Sequence, residues 1–428
     1  MRRAARTAIA AACAAALAGA VAPAAGASSG PYVVVLRDGF DAVAATDRLV
    51  GSVGIRPSFR YDSALNGFAA ILSDAQRTAL RADPAVEFVG SDLTVKGSGL
   101  APLASGETVP PGIRRVGAAT LAQAHTAADS PVAVLDSGVD LKNADLNALS
   151  GKNCVTTTAA AQDDNGHGTN VAGILAARNT GSIVTGVAPG TAIYSVKVLG
   201  SKNTGTLSQI LCGIDWVTAN APALGIKVAN MSIEGAGAND GNCGNTNNDA
   251  WHKAICRSTA AGVTYVASAG NAKTTLDKTI PASYPEVLTA TAMSDTDGLA
   301  GAKGGAPTCK SGEADDKYAT FSNYAVGATA IAHTIAAPGT CVVSDKLGGG
   351  TSTYYGTSQA APHVAGTLAL CFGSGGAGPC AGLAPAQAIA KLRADAAAGA
   401  TAANGFAGDP LRPVSGKYFG YLDSAAGY

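Results

Sequence analysis

Three polar side chains in this sequence sit among small and apolar neighbours, where acyl-transfer chemistry could use them. Asp136 ends the apolar run in VAVLDSGVD, His167 lies in DNGHGTNVAG, and Ser358 lies in GTSQAAPHVAG. A hydroxyl becomes a useful nucleophile when an imidazole takes its proton, and a carboxylate fixes the tautomer of that imidazole and stabilises its cation. Taken singly, each residue is ordinary: Asp-Ser-Gly reads as a turn, His before a helix as a surface cap, and Ser at a helix start as an N-cap. Their joint occurrence points to cleavage of an acyl bond.

The elements that must position them follow from hydrophobic patterning. VAVL before Asp136, YSVKV from Tyr194, VANMS from Val228 and VTYVAS from Val263 are apolar on both faces, as buried parallel strands are. Leu207, Ile210, Leu211, Ile214 and Val217 share one helical face between them. The alternation predicts an α/β fold, a doubly wound and mostly parallel sheet with helices on both faces. Ligands bind such sheets at the carboxyl ends of the strands, where Asp136 emerges. Ahead of this part, residues 31–95 predict a small α+β module. Its β-α-β-β-α-β order is ferredoxin-like, and its second helix opens on the capping box Ser73-Asp74-Ala75-Gln76. The Gly/Ser/Pro-rich stretch from Lys96 to Gly112 predicts an exposed linker.

The chain has 428 residues, 47% hydrophobic, enough for more than one domain. Lys plus Arg equals Asp plus Glu at 30 each, and no basic run could track a phosphate backbone, which argues against nucleic acid as a partner. MRRAAR, the apolar run Thr7 to Val21 and Ala25-Gly26-Ala27 form a secretory signal peptide over residues 1–27, too short in its apolar part to span a bilayer. Export is therefore expected. Cys13 belongs to this leader, leaving an even set at 154, 212, 243, 256, 309, 341, 371 and 380. In an exported chain these predict disulfides; without a C-x-x-C pair, zinc is the weaker reading. Short loops suggest Cys243 with Cys256 and Cys371 with Cys380, as a guess only.

VAVLDSGVD, NGHGTNVAGI and GTSQAAPHVAG resemble the three signature blocks of the subtilisin-like serine proteases, in that family's Asp, His, Ser order. GVAPG, VKVL, NMS, ASAGN and FSNY extend the resemblance from about Val109 to Cys371. NGFAAILS and VEFVGSD make residues 31–95 similar to the family's inhibitory propeptide. The resemblance implies a secreted serine endopeptidase made as a self-processing zymogen. Its catalytic domain would be residues 109–428, with the cut inside the 96–108 linker. Asp136 would orient, His167 act as general base and acid, Ser358 attack, and Asn271 donate to the oxyanion; by local sequence alone Asn271 is a turn residue. Ser232, Ile233 and Glu234 would line the substrate. Protein or peptide substrates and the chain's own propeptide are the implied partners, and the enzyme is expected to be a monomer.

No cofactor is implied for the chemistry. Structural calcium is an open expectation, with Asp145, Asn179 and Glu107 as oxygen ligands. Two departures from the family pattern stand out. Gln359 follows the nucleophile where Met is usual, and Glu234 stands in NMSIEG where Gly is usual. Glu234 either points to solvent, narrows the first specificity pocket, or favours a basic residue before the scissile bond. His125, in a helix-like Ala/Thr-rich stretch, and His252, His333 and His363 are read as packing or surface residues. One rival is a catalytically silent binding protein of the same fold. A lipase is the other, and it would need G-x-S-x-G and the order Ser, acid, His.

Overall fold

The computed structural model describes residues 29–97, 109–121, 123–125, 128, 130–179, 184–373 and 378–428. The expected signal peptide, residues 98–108 of the expected linker and Glu107 lie outside the described residues. Among the described residues, no helix is long and apolar enough to cross a membrane.

The N-terminal module is built from β1 (Ser29–Leu36), α1 (Ala42–Val53), β2 (Phe59–Tyr61), β3 (Gly67–Ser73), α2 (Asp74–Arg81) and β4 (Val86–Ser91). Its strands form an antiparallel sheet in the order β2-β3-β1-β4, as the sequence pattern predicts. The capping box forms: Ser73 Oγ accepts from the Gln76 N–H, and Gln76 Oε1 accepts from the Ser73 N–H. Val34, Leu36, Phe68, Leu72 and Leu80 fill the space between sheet and helices.

The linker begins later than the sequence pattern suggests. Residues Thr94–Gly97 form β5, a strand paired with the next domain, so Lys96 and Gly97 belong to a sheet. Backbone pairing with strands far along the chain overrides the flexible Lys-Gly-Ser composition.

The second domain continues with α3 (Pro111–Arg115), β6 (Val132–Asp136), β7 (Asn147–Asn153), α4 (His167–Ala176), β8 (Ala192–Lys197), β9 (Thr204–Thr206) and α5 (Leu207–Leu224). Next come β10 (Val228–Met231), β11 (Ile233–Ala236), α6 (Ala250–Ala260), β12 (Thr264–Ser268), β13 (Thr279–Ile280), β14 (Val287–Ser294) and β15 (Lys317–Tyr318). The remainder holds α7 (Ala328–Ala332), β16 (Thr334–Thr340), β17 (Val342–Asp345), β18 (Thr351–Tyr354), α8 (Thr357–Phe372) and α9 (Pro385–Gly399). The main sheet runs β15-β14-β12-β10-β6-β8-β7, with β16 also on β14. Every pairing in it is parallel except β14 with β15. Strands β6, β10, β12, β14 and β16 are buried along their whole length, because α4 and α8 cover one face and α5 and α6 the other.

His125 and the described residues beside it, 119–121, 123, 124 and 128, are not helical. Thr120 Oγ1 accepts from the Gln123 N–H and Ala119 bridges Ala124, so a turn wins over the helix propensity of its alanines. Disulfides join Cys243 to Cys256 and Cys371 to Cys380, as the loop lengths suggest; Cys154 pairs with Cys212 and Cys309 with Cys341. After α9 the chain returns over the sheet. Leu422 bridges Ala336 of β16, the Ala425 N–H donates to the Val116 carbonyl, and Tyr428 Oη donates to Asp395.

Candidate active site

Asp136 closes the central strand β6 and is fully buried. Its Oδ1 accepts from the Ser137 N–H at 2.7 Å and lies 2.6 Å from His167 Nδ1. His167, also fully buried, is the first residue of α4, and the loop before it is held by one carboxylate. Asp163 Oδ1 accepts from Ser137 Oγ and from the N–H groups of Asn165 and Gly166, while Oδ2 accepts from the Thr169 N–H and Oγ1. Ser137 Oγ accepts in turn from the Gly168 N–H, which ties the Asp136 and His167 loops together. A Cβ at Gly168 would stand 2.0 Å from the Gly138 carbonyl oxygen, so only glycine lets the two loops approach this closely. Lys197 Nζ donates to the carbonyls of Ser137 and Leu199 and to Asp164, closing the arrangement from the neighbouring strand.

Ser358 is the second residue of α8, whose first N–H groups have no partner within the helix. Its Oγ donates to the Ser232 carbonyl at 3.2 Å, and the Ser232 hydroxyl donates back to the Ser358 carbonyl at 2.8 Å. Asn271 follows β12 at the same edge of the sheet. Its Oδ1 accepts from the Thr357 N–H at 2.9 Å and from Thr357 Oγ1 at 3.3 Å, which fixes the amide plane. Asn271 Nδ2 is closed off from solvent and has no hydrogen-bond partner among the described residues, an uncommon state for a buried amide. Gln359 is buried and its Nε2 donates to Asn170 Oδ1 at 3.3 Å, linking α8 to α4 beside both His167 and Ser358.

The residues expected to line the substrate divide. Ser232 is buried and its hydroxyl works inward on the start of α8, so it positions the nucleophile's helix instead of facing outward. Ile233 points into the core. Glu234 is partly buried, and its side chain reaches Gly270, next to Asn271. On the outer side of β11 lies β5, antiparallel, with Ile233 opposite Gly97 and Glu234 opposite Lys96; the other edge of β5 pairs with β9. The trailing strand of the N-terminal module therefore runs between β9 and β11, alongside the site.

The module is held on α5 and α6 by contacts that the sequence pattern does not reveal. Asp215 Oδ1 accepts from the Ser63 and Ala64 N–H groups, each at 2.9 Å. Asp92 Oδ1 accepts from the Ser208 N–H at the start of α5, where a helix N-terminus favours an anion. Tyr61 Oη donates to the Ser208 carbonyl, Glu87 pairs with Lys253, and Asp38 pairs with Arg257. Burial raises the carboxyl pKa values of both Asp92 and Asp215.

Among oxygen-rich clusters, Asp145 is buried and Asp345 lies near it, with both Asp345 carboxylate oxygens lacking hydrogen-bond partners among the described residues. Burial and the neighbouring Asp145 charge push the Asp345 carboxyl up to about 7. The two carboxylates offer oxygen ligands of the kind a hard cation takes, and Asn179, one residue beyond Arg178 whose N–H donates to the Asp145 carbonyl, is exposed. Asp295, Asp297 and Asp315 form a second acidic group, against Arg115. Cys243, His252, Cys256 and Glu286 also converge, but the two thiols are joined in a disulfide. His252 packs flat on Tyr284 and bonds Glu286, and buried His333 and His363 bond the carbonyls of Val287 and Gln359.

Both parts of the chain are similar to known proteins. Residues 128–402 match the subtilase family and residues 32–97 the peptidase inhibitor I9 family. Subtilisin NAT of Bacillus subtilis subsp. natto is 32% identical over 74% of this chain and 72% of its own length. A subtilisin of Bacillus pumilus is 34% identical over 62% of this chain and 84% of its own. The crystal structure of a cold-adapted subtilisin-like serine proteinase superposes with a TM-score of 0.55 at 26% identity, covering 74% of this chain and 99% of that one.

Proposed function

The chain belongs to the subtilase family of serine endopeptidases, and we propose that Ser358, His167 and Asp136 are its acyl-transfer centre. The single observation that carries the assignment is the 2.6 Å contact of His167 Nδ1 with the buried carboxylate of Asp136, at the sheet edge where α8 presents Ser358. Ser358 Oγ attacks the peptide carbonyl as His167 takes its proton through Nε2. The imidazolium, stabilised by Asp136, then protonates the leaving amine, and water repeats the sequence on the acyl-enzyme. Asn271 Nδ2 and the Ser358 N–H receive the oxyanion, and the start of α8 adds its dipole. These steps use side chains and backbone alone. Ser358→Ala is expected to abolish both hydrolysis of peptide anilides and labelling by a fluorophosphonate; labelling that survives this change would overturn the assignment, and wild-type protein that never labels would favour a silent binding protein.

An inhibitor I9 module ahead of a subtilase domain makes the chain a protease zymogen. We propose further that it is exported by residues 1–27 and cuts itself within residues 96–107, at the first peptide bonds beyond Gly97. The support is the path of β5, which enters between β9 and β11 in the antiparallel manner of a bound substrate strand. N-terminal sequencing of the secreted product checks both cuts. Calcium held by Asp145, with Asp345 beside it, is proposed as a structural ion. EDTA is then expected to lower the melting temperature, by several degrees if the site contributes about 2 kcal/mol.

A further inference from the structure

Three stretches of backbone converge beside Asn271, and the gap they frame is taken as the slot for the residue before the scissile bond. β11 forms one wall and Ala269, Gly270 and Asn271 the other, joined where Ser268 Oγ donates to the Ile233 carbonyl at 3.3 Å. Thr279 lies across the end, because β13 pairs with β11 through Ala236 opposite Thr279 and Gly235 opposite Ile280. Asn323 Nδ2 donates to the Ala269 carbonyl and to Thr279 Oγ1, which makes this end rigid.

Strand alternation sends Ile233 into the core and Glu234 to the other face. There the Glu234 carboxylate crosses to the opposite wall. A Cβ built on Gly270 would stand 2.6 Å from Glu234 Oε2, 2.5 Å from Asn323 Nδ2 and 3.2 Å from Thr279 Cγ2. Space facing the Gly270 α-carbon is already filled by these three groups.

From this we infer that Glu234 shortens the slot and restricts the residue before the scissile bond to small, uncharged side chains. The inference rests on the proposed protease activity and names its substrate class. The sequence next to the strand held in the site agrees: residues 98–107 read SGLAPLASGE, with no aromatic residue and no Lys or Arg. Leu100, Leu103 and Glu107 apart, a cut after any of these residues puts Ser, Gly, Ala or Pro before the scissile bond. A large apolar side chain would have to displace a carboxylate from its wall, while a Lys or Arg side chain would need length that the slot no longer has.

The test uses the self-cleaved enzyme and peptide anilides that differ only in the last residue, Ala, Phe or Arg. Wild-type kcat/KM is expected to favour Ala over Phe and over Arg by about tenfold or more. Glu234→Gly should raise the Phe-to-Ala ratio about tenfold, and Glu234→Gln, equal in size but uncharged, should hold it within about threefold of wild type. Preference of the wild type for Phe or Arg overturns the inference, as does an unchanged ratio in Glu234→Gly. A shift as large in Glu234→Gln as in Glu234→Gly would make the effect one of charge and overturn the steric account. Failure to cleave any anilide, together with absent fluorophosphonate labelling of Ser358, would instead overturn the protease assignment beneath it.

Discussion

The loop carrying His167 and the N-terminal module both meet the same domain near Ser358, yet they are held there by different means. Around His167, one buried carboxylate, Asp163, accepts five hydrogen bonds, four from residues 165–169 and one from Ser137, and a glycine-to-carbonyl contact locks the neighbouring loop. The module instead rests on a shared apolar cluster, in which Val33, Val35, Leu65 and Phe88 are buried together with Leu211, Ile214 and Ile255, and on two backbone N–H groups at Asp215, a helix-capping carboxylate at Asp92, ion pairs at its rim and one added strand. All four disulfides lie in the second domain; residues 29–97 contain no cysteine. Groups that must stay within tenths of an ångström are over-determined by short-range, water-excluded bonds. The module, whose release is proposed, has no disulfide to that domain and meets it through one sheet face and one added strand.

The sharpest break in this contrast is expected on the fixed side. Asp136→Asn should keep the fold but leave His167 in the wrong tautomer, lowering kcat by about 10⁴-fold in a steady-state assay. Stability offers the next largest effect. Asp423 is fully buried against α8, where Thr367 Oγ1 donates to it, and burial pushes its carboxyl up to about 7 from 3.8. Between these pH values the folded chain holds a proton that the unfolded chain releases, so this group's contribution to stability falls as pH rises from about 4 to 7. Asp423→Asn should flatten that part of the stability-against-pH curve, by at most about 4 kcal/mol in denaturant titrations.

Asn271→Ala removes one oxyanion donor and should lower kcat by about 10²–10³, the range known for such a donor in a subtilisin, with KM little changed. The smallest effect belongs to the detachable side. Asp215→Ala leaves two N–H groups of the module without their acceptor, and the cleaved module should dissociate about tenfold more readily, seen as reduced co-elution in gel filtration. Turnover of the freed enzyme should not change. If Asp215→Ala impaired turnover as Asn271→Ala does, the two regions would not be separable in the way their bonding suggests.

Asp136, His167 and Ser358, the residues of the proposed centre, are singled out by sequence because each lies in a short contiguous string, which the structure places at a strand end or a helix start. Parallel strands buried on both faces were legible for a similar reason: their whole run is apolar. Asp163, Asp92 and Asp215 were not, because what they do depends on N–H groups that the fold delivers from elsewhere; D-D-N-G before His167 was the one local hint. β5 was hidden by its composition, since its partners are distant strands. The sequence leaves the direction of Glu234 open among three readings, because alternation fixes the face of a side chain but not where a long one bends.

The return of the chain over β16 has a consequence in time. β16 lies beside β14, and its residue Ala336 is bonded by Tyr421 and Asp423, while Ala425 reaches back to Val116 near the start of the domain. A ribosome delivers those residues after every part of the active site has emerged. Until then the sheet has an open margin at β16. Closure of the sheet beside β16 thus comes later in synthesis than the last of the proposed catalytic residues.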